Sequence, residues 1–213
     1  MNEDLLRFNK SQKYLVFDFE TCNLNLASDI NKPWQLAFLV IENEKIVEQC
    51  DYWIKWKDLE ISEAARRITG WTPAAYKKKA VDPVAPLKHF EKYLYDPSYI
   101  KLGHNILGFD VYIHNIYRKL CGLPADYSYM PQCIDTLCLA KAIKKNIKYT
   151  QGDNRLAWQY KLTNLIERNL RASLTQCCKD YEVPFDPKKL HDALYDIIKN
   201  YEVFKKMLWE IEV

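Results

Sequence analysis

The sequence predicts an α/β domain in which helices cover a mixed sheet. Strand-like runs rich in β-branched and aromatic residues come first, at 14–20, 34–41 and 45–54. Two shorter runs, 99–102 and 133–134, then alternate with segments whose apolar residues recur at three- and four-residue spacing. No repeat, low-complexity segment or linker divides the chain, so residues 1–213 read as one domain.

The rest of the chain is arranged around the first run, Tyr14-Leu15-Val16-Phe17-Asp18-Phe19-Glu20. A polar loop is expected from Cys22 to Lys32. Trp34–Ile41 and Lys45–Ile54 read as strands joined by the tight turn Glu42-Asn43-Glu44. Ser62 suits the N-cap of a short helix through Ile68, stopped by Gly70. Pro83 and Pro86 open a helix carrying Leu87, Phe90 and Leu94. Tyr99–Leu102 is a strand ended by Gly103, and Asp110–Leu120 a helix closed by Gly122 and Pro124. Cys133 and Ile134 end a short strand, and Asp135 can cap the next helix. Tyr149–Arg155 reads as a surface loop, followed by helices at Leu162–Leu170 and Ser173–Tyr181. The last helix is expected from about His191, with Leu194, Ile198, Tyr201, Phe204 and Leu208 on one stripe.

Composition excludes several classes. A net charge of +3 means that attraction to nucleic acid must come from local patches. Five glycines supply no glycine-rich phosphate loop. The N-terminus (Asn2, Glu3, Asp4) shows no signal-peptide pattern, and no apolar run approaches the roughly 20 residues of a membrane span. A soluble, cytoplasmic protein is expected, with no membrane association. Seven cysteines form no C-x-x-C pair, which argues against a tetrahedral zinc site and for reduced, mostly buried thiols. Cys177 and Cys178 fall in a helical stretch and read as core.

Acidic residues carry the chemistry. Asp18 and Glu20 share one face of their strand, with Cα atoms roughly 6–7 Å apart. Two carboxylates at that spacing can share one divalent cation or grip two neighbouring ones. An isolated Asp-x-Glu also fits a strand with its acidic face in water. Asp110 follows a strand-end loop, where α/β folds place ligands, and also suits a helix N-terminus. His191 and Asp196 would lie about 140° apart on one helix, so they converge only if His191 sits in the preceding loop. A loop histidine there is a candidate general base.

Together these stretches resemble the DEDDh branch of the 3′–5′ exonucleases, DnaQ-like proteins of the ribonuclease H-like superfamily. Phe17-Asp18-Phe19-Glu20-Thr21 matches the first motif, Asn105-Ile106-Leu107-Gly108-Phe109-Asp110 the second, and His191 through Asp196 the third, in its His-x(4)-Asp form. The tyrosine form would place its tyrosine at 192, where this chain has Asp. Ile68-Thr69-Gly70, Gly103-His104-Asn105 and Ile134-Asp135-Thr136-Leu137 are further echoes, and the likeness runs from about 12 to 206. Cys22-Asn23 stands where members often carry a glycine, and the second motif has three intervening residues.

The resemblance implies a ribonuclease H-like five-stranded mixed sheet and metal-dependent hydrolysis. Asp18, Glu20, Asp110 and Asp196 would hold two Mg²⁺ or Mn²⁺ ions about 3.5–4 Å apart, and His191 would take a proton from water. The products would be nucleoside 5′-monophosphates cut from 3′ ends, single-stranded DNA foremost. An exoribonuclease or short-oligonucleotide hydrolase is the alternative within the family, and a non-catalytic nucleic-acid- or partner-binding module the alternative outside it. A separate polymerase or other replication or repair protein is a possible partner.

Thr21 and Phe109 are candidates for positioning the terminal nucleotide, although Phe109 also fits a core position, and Asn105 is a further candidate for binding substrate. Trp71 either packs in the core, as expected of Trp34, Trp53 and Trp56, or stacks a base. His104 either touches phosphate or makes a structural hydrogen bond; His89 and His114 receive no role. Lys141, Lys144, Lys145 and Lys148 are spaced to share one helical face, either solvated or tracking the phosphates of the entering strand, with Lys144 and Lys148 the main contacts.

Overall fold

The computed structural model describes residues 5–23, 26 and 31–213. Five strands, β1 (Lys13–Thr21), β2 (Pro33–Glu42), β3 (Lys45–Trp53), β4 (Tyr99–Gly103) and β5 (Cys133–Asp135), form one sheet in the order β3-β2-β1-β4-β5. β2 pairs antiparallel with β1 and β3, whereas β4 runs parallel to β1 and β5. The mixed α/β sheet of the sequence reading is therefore observed, with β1 at its centre. Asn43 and Glu44 have positive φ, 49° and 61°, as a two-residue hairpin turn requires. Most of the expected loop from Cys22 to Lys32 lies outside the described residues.

Strand alternation sends side chains into two cores. Tyr14, Val16, Ala37, Leu39, Leu102 and Ile134 face helices α5 (Thr136–Lys145), α7 (Leu174–Asp180) and α8 (Ala193–Met207). Leu15, Phe17, Phe19, Leu36 and Phe38 face α3 (Val84–Leu94) and α4 (Asp110–Leu120). A third, smaller cluster joins Cys22, Trp34, Ile61 and Trp71 beside α1 (Glu63–Thr69) and α2 (Pro73–Lys79). Cys177 and Cys178 are buried, as expected.

Several boundaries differ from the reading. Ser62 caps α1, its hydroxyl accepting the Ala65 N–H, and Gly70 ends it at φ 66°. The following α2 is missing from the sequence reading. Helix α6 spans Arg155–Thr163, capped by Asn154, instead of Leu162–Leu170, so the expected surface loop ends one residue early. The residues that α6 buries are Gln159 and Leu162, and one of these is polar, so no apolar stripe announces the helix. Gln159 accepts the Asp135 N–H at 2.7 Å and donates to Cys133 O at 3.0 Å, which satisfies the open edge of β5 as another strand would. Helix α8 begins at Ala193, capped by Asp192, and its buried stripe runs through Ile197, Asn200, Tyr201, Phe204 and Met207 while Leu194 and Ile198 are half-buried. Among the described residues no helix is long and apolar enough to cross a membrane.

Candidate active site

The carboxyl end of β1 outruns its parallel neighbour. Pairing with β4 stops at Val16–Leu102, and farther along the Phe19 N–H donates to Asp110 Oδ1 at 3.0 Å. The same alternation that buries Phe17 and Phe19 under α4 turns Asp18 and Glu20 to the α8 side. There they meet Asp196, in the first turn of α8. Asp110 is 2% exposed, and Asp18, Glu20 and Asp196 are half-buried.

These carboxyls are short of compensation. Among the described residues none is salt-bridged to a basic side chain, and no hydrogen bond holds Asp18 or Glu20. Burial, then the neighbouring Asp110, Glu20 and Asp196 carboxylates, push Asp18 well above the usual range. Glu20 is raised in the same way by burial and by Asp196 and Asp110. Burial also raises Asp110, opposed by the Phe19 N–H, and pushes Asp196 up to about 7. Asp192, the α8 cap, adds a fifth negative group that raises its neighbours.

A divalent cation fits this set. Asp196 Oδ1 is buried without a hydrogen-bond partner among the described residues. Glu20, His191 and Asp196 each present a ligand atom within 4.8 Å of the others. Carboxylate oxygens suit hard cations such as Mg²⁺ or Mn²⁺.

His191 lies in the loop before α8, as the sequence requires for convergence. Its φ is 65°, and its backbone N–H donates to Asp196 Oδ2 at 3.1 Å. The residue is exposed, and partial burial of the ring holds its pKa below the usual histidine value, which keeps it neutral and able to accept a proton at pH 7.

The sequence reading assigned Asp135 a helix cap; the structure gives it a wider role. Its buried carboxylate accepts the N–H groups of Asn105 (2.8 Å), Leu107 (3.0 Å) and Leu137 (2.9 Å), and burial nevertheless raises it to about 6. It thereby fixes the loop that delivers Asn105 and Asp110. Gly103 starts that loop where a Cβ would lie 2.0 Å from Ile106 Cγ2 and 2.9 Å from Phe17 O, so the chain can fold back over β1 only without a side chain.

Three cavities meet at His191. One of about 480 Å³ is lined by Glu20, Thr21, Thr69, Phe109 and His191. A second, about 520 Å³, opens on Asp18, His104, Asn105, His191, Asp196 and Asn200. The third, about 560 Å³, has basic walls at Arg67, Lys188 and Lys189.

A family model described as an exonuclease, the RNase T family, matches residues 15–204. The chain belongs to this exonuclease family. It is the DEDDh, DnaQ-like group of the ribonuclease H-like superfamily. No curated protein is significantly similar in sequence. Among solved structures, Escherichia coli exonuclease I bound to a dT13 oligonucleotide has a TM-score of 0.72 at 19% identity, covering 93% of this chain and 41% of that one. The zinc-bound complex of the same enzyme with single-stranded DNA scores 0.71 at 19% identity (92% and 40%), and its complex with SSB-Ct 0.71 at 18% (94% and 42%). The chain thus spans about two fifths of the length of these structures, and at this identity they establish a shared fold.

Within this exonuclease domain the residues of the three motifs converge, and the outlying candidates divide. Thr21 and Phe109 line one cavity and Asn105 the next. Trp71 packs in the small cluster beside α1 and α2. It is 7% exposed, packed between Tyr76 and the Arg66 guanidinium, which corrects the stacking alternative. The four lysines do not share a helical face either. Lys141 is buried and donates to Leu162 O and Thr163 O, Lys144 and Lys145 pair with Asp180 and Glu167, and α5 ends before Lys148. Lys144 and Lys148 line none of the three cavities. His104, pushed down to about 4 by burial and bonded to Thr136 Oγ1 at 2.9 Å, is a neutral structural residue.

Proposed function

We propose that the protein is a metal-dependent 3′–5′ exonuclease that releases nucleoside 5′-monophosphates, with single-stranded DNA as its main substrate. The observation that carries this reading is the meeting of Asp18, Glu20, Asp110 and Asp196 beside His191 with no basic residue among the described ones paired to them. Two Mg²⁺ or Mn²⁺ ions held by these four carboxylates would supply charge neutralisation at the scissile phosphate and a nucleophile at neutral pH. His191 accepts the proton of the attacking water, because it is neutral, exposed and fixed by its backbone to Asp196. Glu20 also orients the terminal ribose. Phe109 and Thr21 wall the cavity next to Glu20, which is open and partly apolar enough to take a terminal nucleoside. Asn105, whose backbone N–H is held by Asp135, contacts the substrate beside it.

The binding of single-stranded oligonucleotides by the exonuclease I structures supports DNA as substrate. Incubation with Mg²⁺ and end-labelled DNA and RNA of several lengths tests the choice. Faster release of mononucleotides from single-stranded DNA is expected; preference for RNA or for dinucleotides would replace this substrate assignment with the exoribonuclease or short-oligonucleotide reading.

A further inference from the structure

A second group of metal-ligand side chains lies away from the acidic centre, between the sheet-edge strand β3 and α3. Glu48, Cys50 and Tyr52 alternate onto one face of β3, and His89 and Tyr93, one helical turn apart, meet them from α3. His89 Nε2 is 2.8 Å from Glu48 Oε1, and Cys50 Sγ is 3.6 Å from the same oxygen and 4.0 Å from His89 Nδ1. One donor atom from each residue lies within 4.8 Å of the other two. We propose that Glu48, Cys50 and His89 form a zinc site that ties β3 to α3, with water as the fourth ligand.

Thiolate, imidazole and carboxylate are the ligand types that zinc takes, at bonds of about 2.0–2.3 Å. Such bonds put neighbouring ligands of a tetrahedron roughly 3.3–3.8 Å apart. Glu48 Oε1 is 3.6 Å from Cys50 Sγ and 2.8 Å from His89 Nε2, so zinc needs that oxygen and nitrogen to part by only about half an ångström. The surrounding groups are arranged as a metal site needs. Tyr52 OH, 2.9 Å from His89 Nδ1, can accept a hydrogen bond from Nδ1–H and so leave Nε2 as the ligand nitrogen. Tyr93 OH donates to Glu48 Oε2 at 2.6 Å, leaving Oε1 to face the cluster.

Without metal, a proton must bridge His89 Nε2 and Glu48 Oε1. Zinc takes its place as the ring proton moves to Nδ1, and displaces the Cys50 thiol proton, which goes to solvent; the ion with its thiolate and carboxylate ligands is neutral. Glu48 and His89 side chains are 31% and 29% exposed, which gives the ion a way in and leaves room for water, while Cys50 is buried. Lys92, the adjacent cation, donates from Nζ to Tyr93 OH at 3.2 Å. A C-x-x-C motif is not needed for a site assembled from a strand and a helix 39 residues apart in sequence.

The test uses the full chain with Asp18→Asn and Asp196→Asn, so that the acidic centre does not compete for metal. Stripped of metal and titrated with Co²⁺, it is expected to develop the thiolate-to-cobalt charge-transfer band, saturating at one cobalt per chain and bleached by Zn²⁺. Cys50→Ser should abolish the band, whereas Cys121→Ser, which alters a thiol outside the cluster, should retain it. Tyr52→Phe should weaken Co²⁺ affinity by about 10–100-fold, the usual effect of losing such a partner. Absence of a thiolate band, or its survival in Cys50→Ser with circular dichroism unchanged, overturns the site. Should Cys50→Ser unfold, full affinity in both Glu48→Gln and His89→Ala overturns it equally.

Discussion

The backbone N–H of His191 donates to Asp196 Oδ2 across 3.1 Å, so the loop histidine is anchored by its main chain while its ring stays available. His191 holds a positive φ, a conformation that Asn also tolerates. His191→Asn is therefore expected to fold and to bind substrate nearly as the wild type does, yet to lose about 10²–10⁴-fold in kcat. Single-turnover hydrolysis and equilibrium binding measured side by side check this; equal losses in both would move His191 from the chemistry to positioning.

Asp18, Glu20, Asp110 and Asp196 all hold their protons more tightly folded than unfolded. For Asp196 the value rises from 3.8 to about 7. A raised folded pKa contributes stability that is fully present below the unfolded value and lost as pH climbs through the folded one. The metal-free protein should thus melt at progressively lower temperature between about pH 4 and 8. Mn²⁺ or Mg²⁺ should oppose this, stabilising by about 2.7 kcal/mol at a hundredfold excess over Kd. The metal-induced rise in Tm should be larger at pH 8 than at pH 5. A metal effect that is equal at both pH values, or absent, contradicts the carboxylate centre.

Much of this centre was legible in the sequence because it depends on local geometry. Asp18 and Glu20 share a face by strand alternation, and the angle between His191 and Asp196 on a helix forces the histidine into the loop. The boundaries of β1 and β2 were legible for the same reason: they alternate between two apolar cores. Helix α2 was not, since it buries no residue and so carries no apolar stripe, only Thr72 and Pro73 at its start. Helix α6 hid behind a buried glutamine. The role of Asp135 depends on contacts with Asn105 and Leu107, 30 and 28 residues away, which no local pattern records. The lysine stripe failed because periodicity was extended past the end of α5 and onto a residue, Lys141, whose ammonium caps α6.

Asp135→Ala removes the acceptor of three backbone N–H groups, two of them in the loop before Asp110. Each buried donor left unsatisfied costs about 1–3 kcal/mol, so a loss on the order of 3 kcal/mol is expected in chemical denaturation. Asp135→Asn keeps an acceptor oxygen and should lose less. Activity of either variant, assayed well below its melting temperature, should fall because Asn105 and Asp110 lose their common support. Unchanged stability and rate in Asp135→Ala would remove this positioning role.

Lys188 and Lys189 wall the basic cavity that adjoins His191. If they meet phosphates of the incoming strand, each contact adds about 0.7 to the slope of log affinity against log salt. Lys188→Gln with Lys189→Gln, on a catalytically inactive background, should flatten that slope by about 1.4. An unchanged slope, with folding intact, would place the strand elsewhere.

The most direct test follows a 5′-labelled single-stranded oligodeoxynucleotide in Mg²⁺ with the wild type and with Asp110→Asn, which keeps an oxygen for the Phe19 N–H and so isolates the lost charge from the fold. The wild type should produce a ladder shortened one nucleotide at a time from the 3′ end, arrested by EDTA, and Asp110→Asn should produce none over the same interval. Direct release of the labelled 5′ nucleotide, a ladder that persists in EDTA, or a comparable ladder from folded Asp110→Asn would contradict hydrolysis at the four-carboxylate centre.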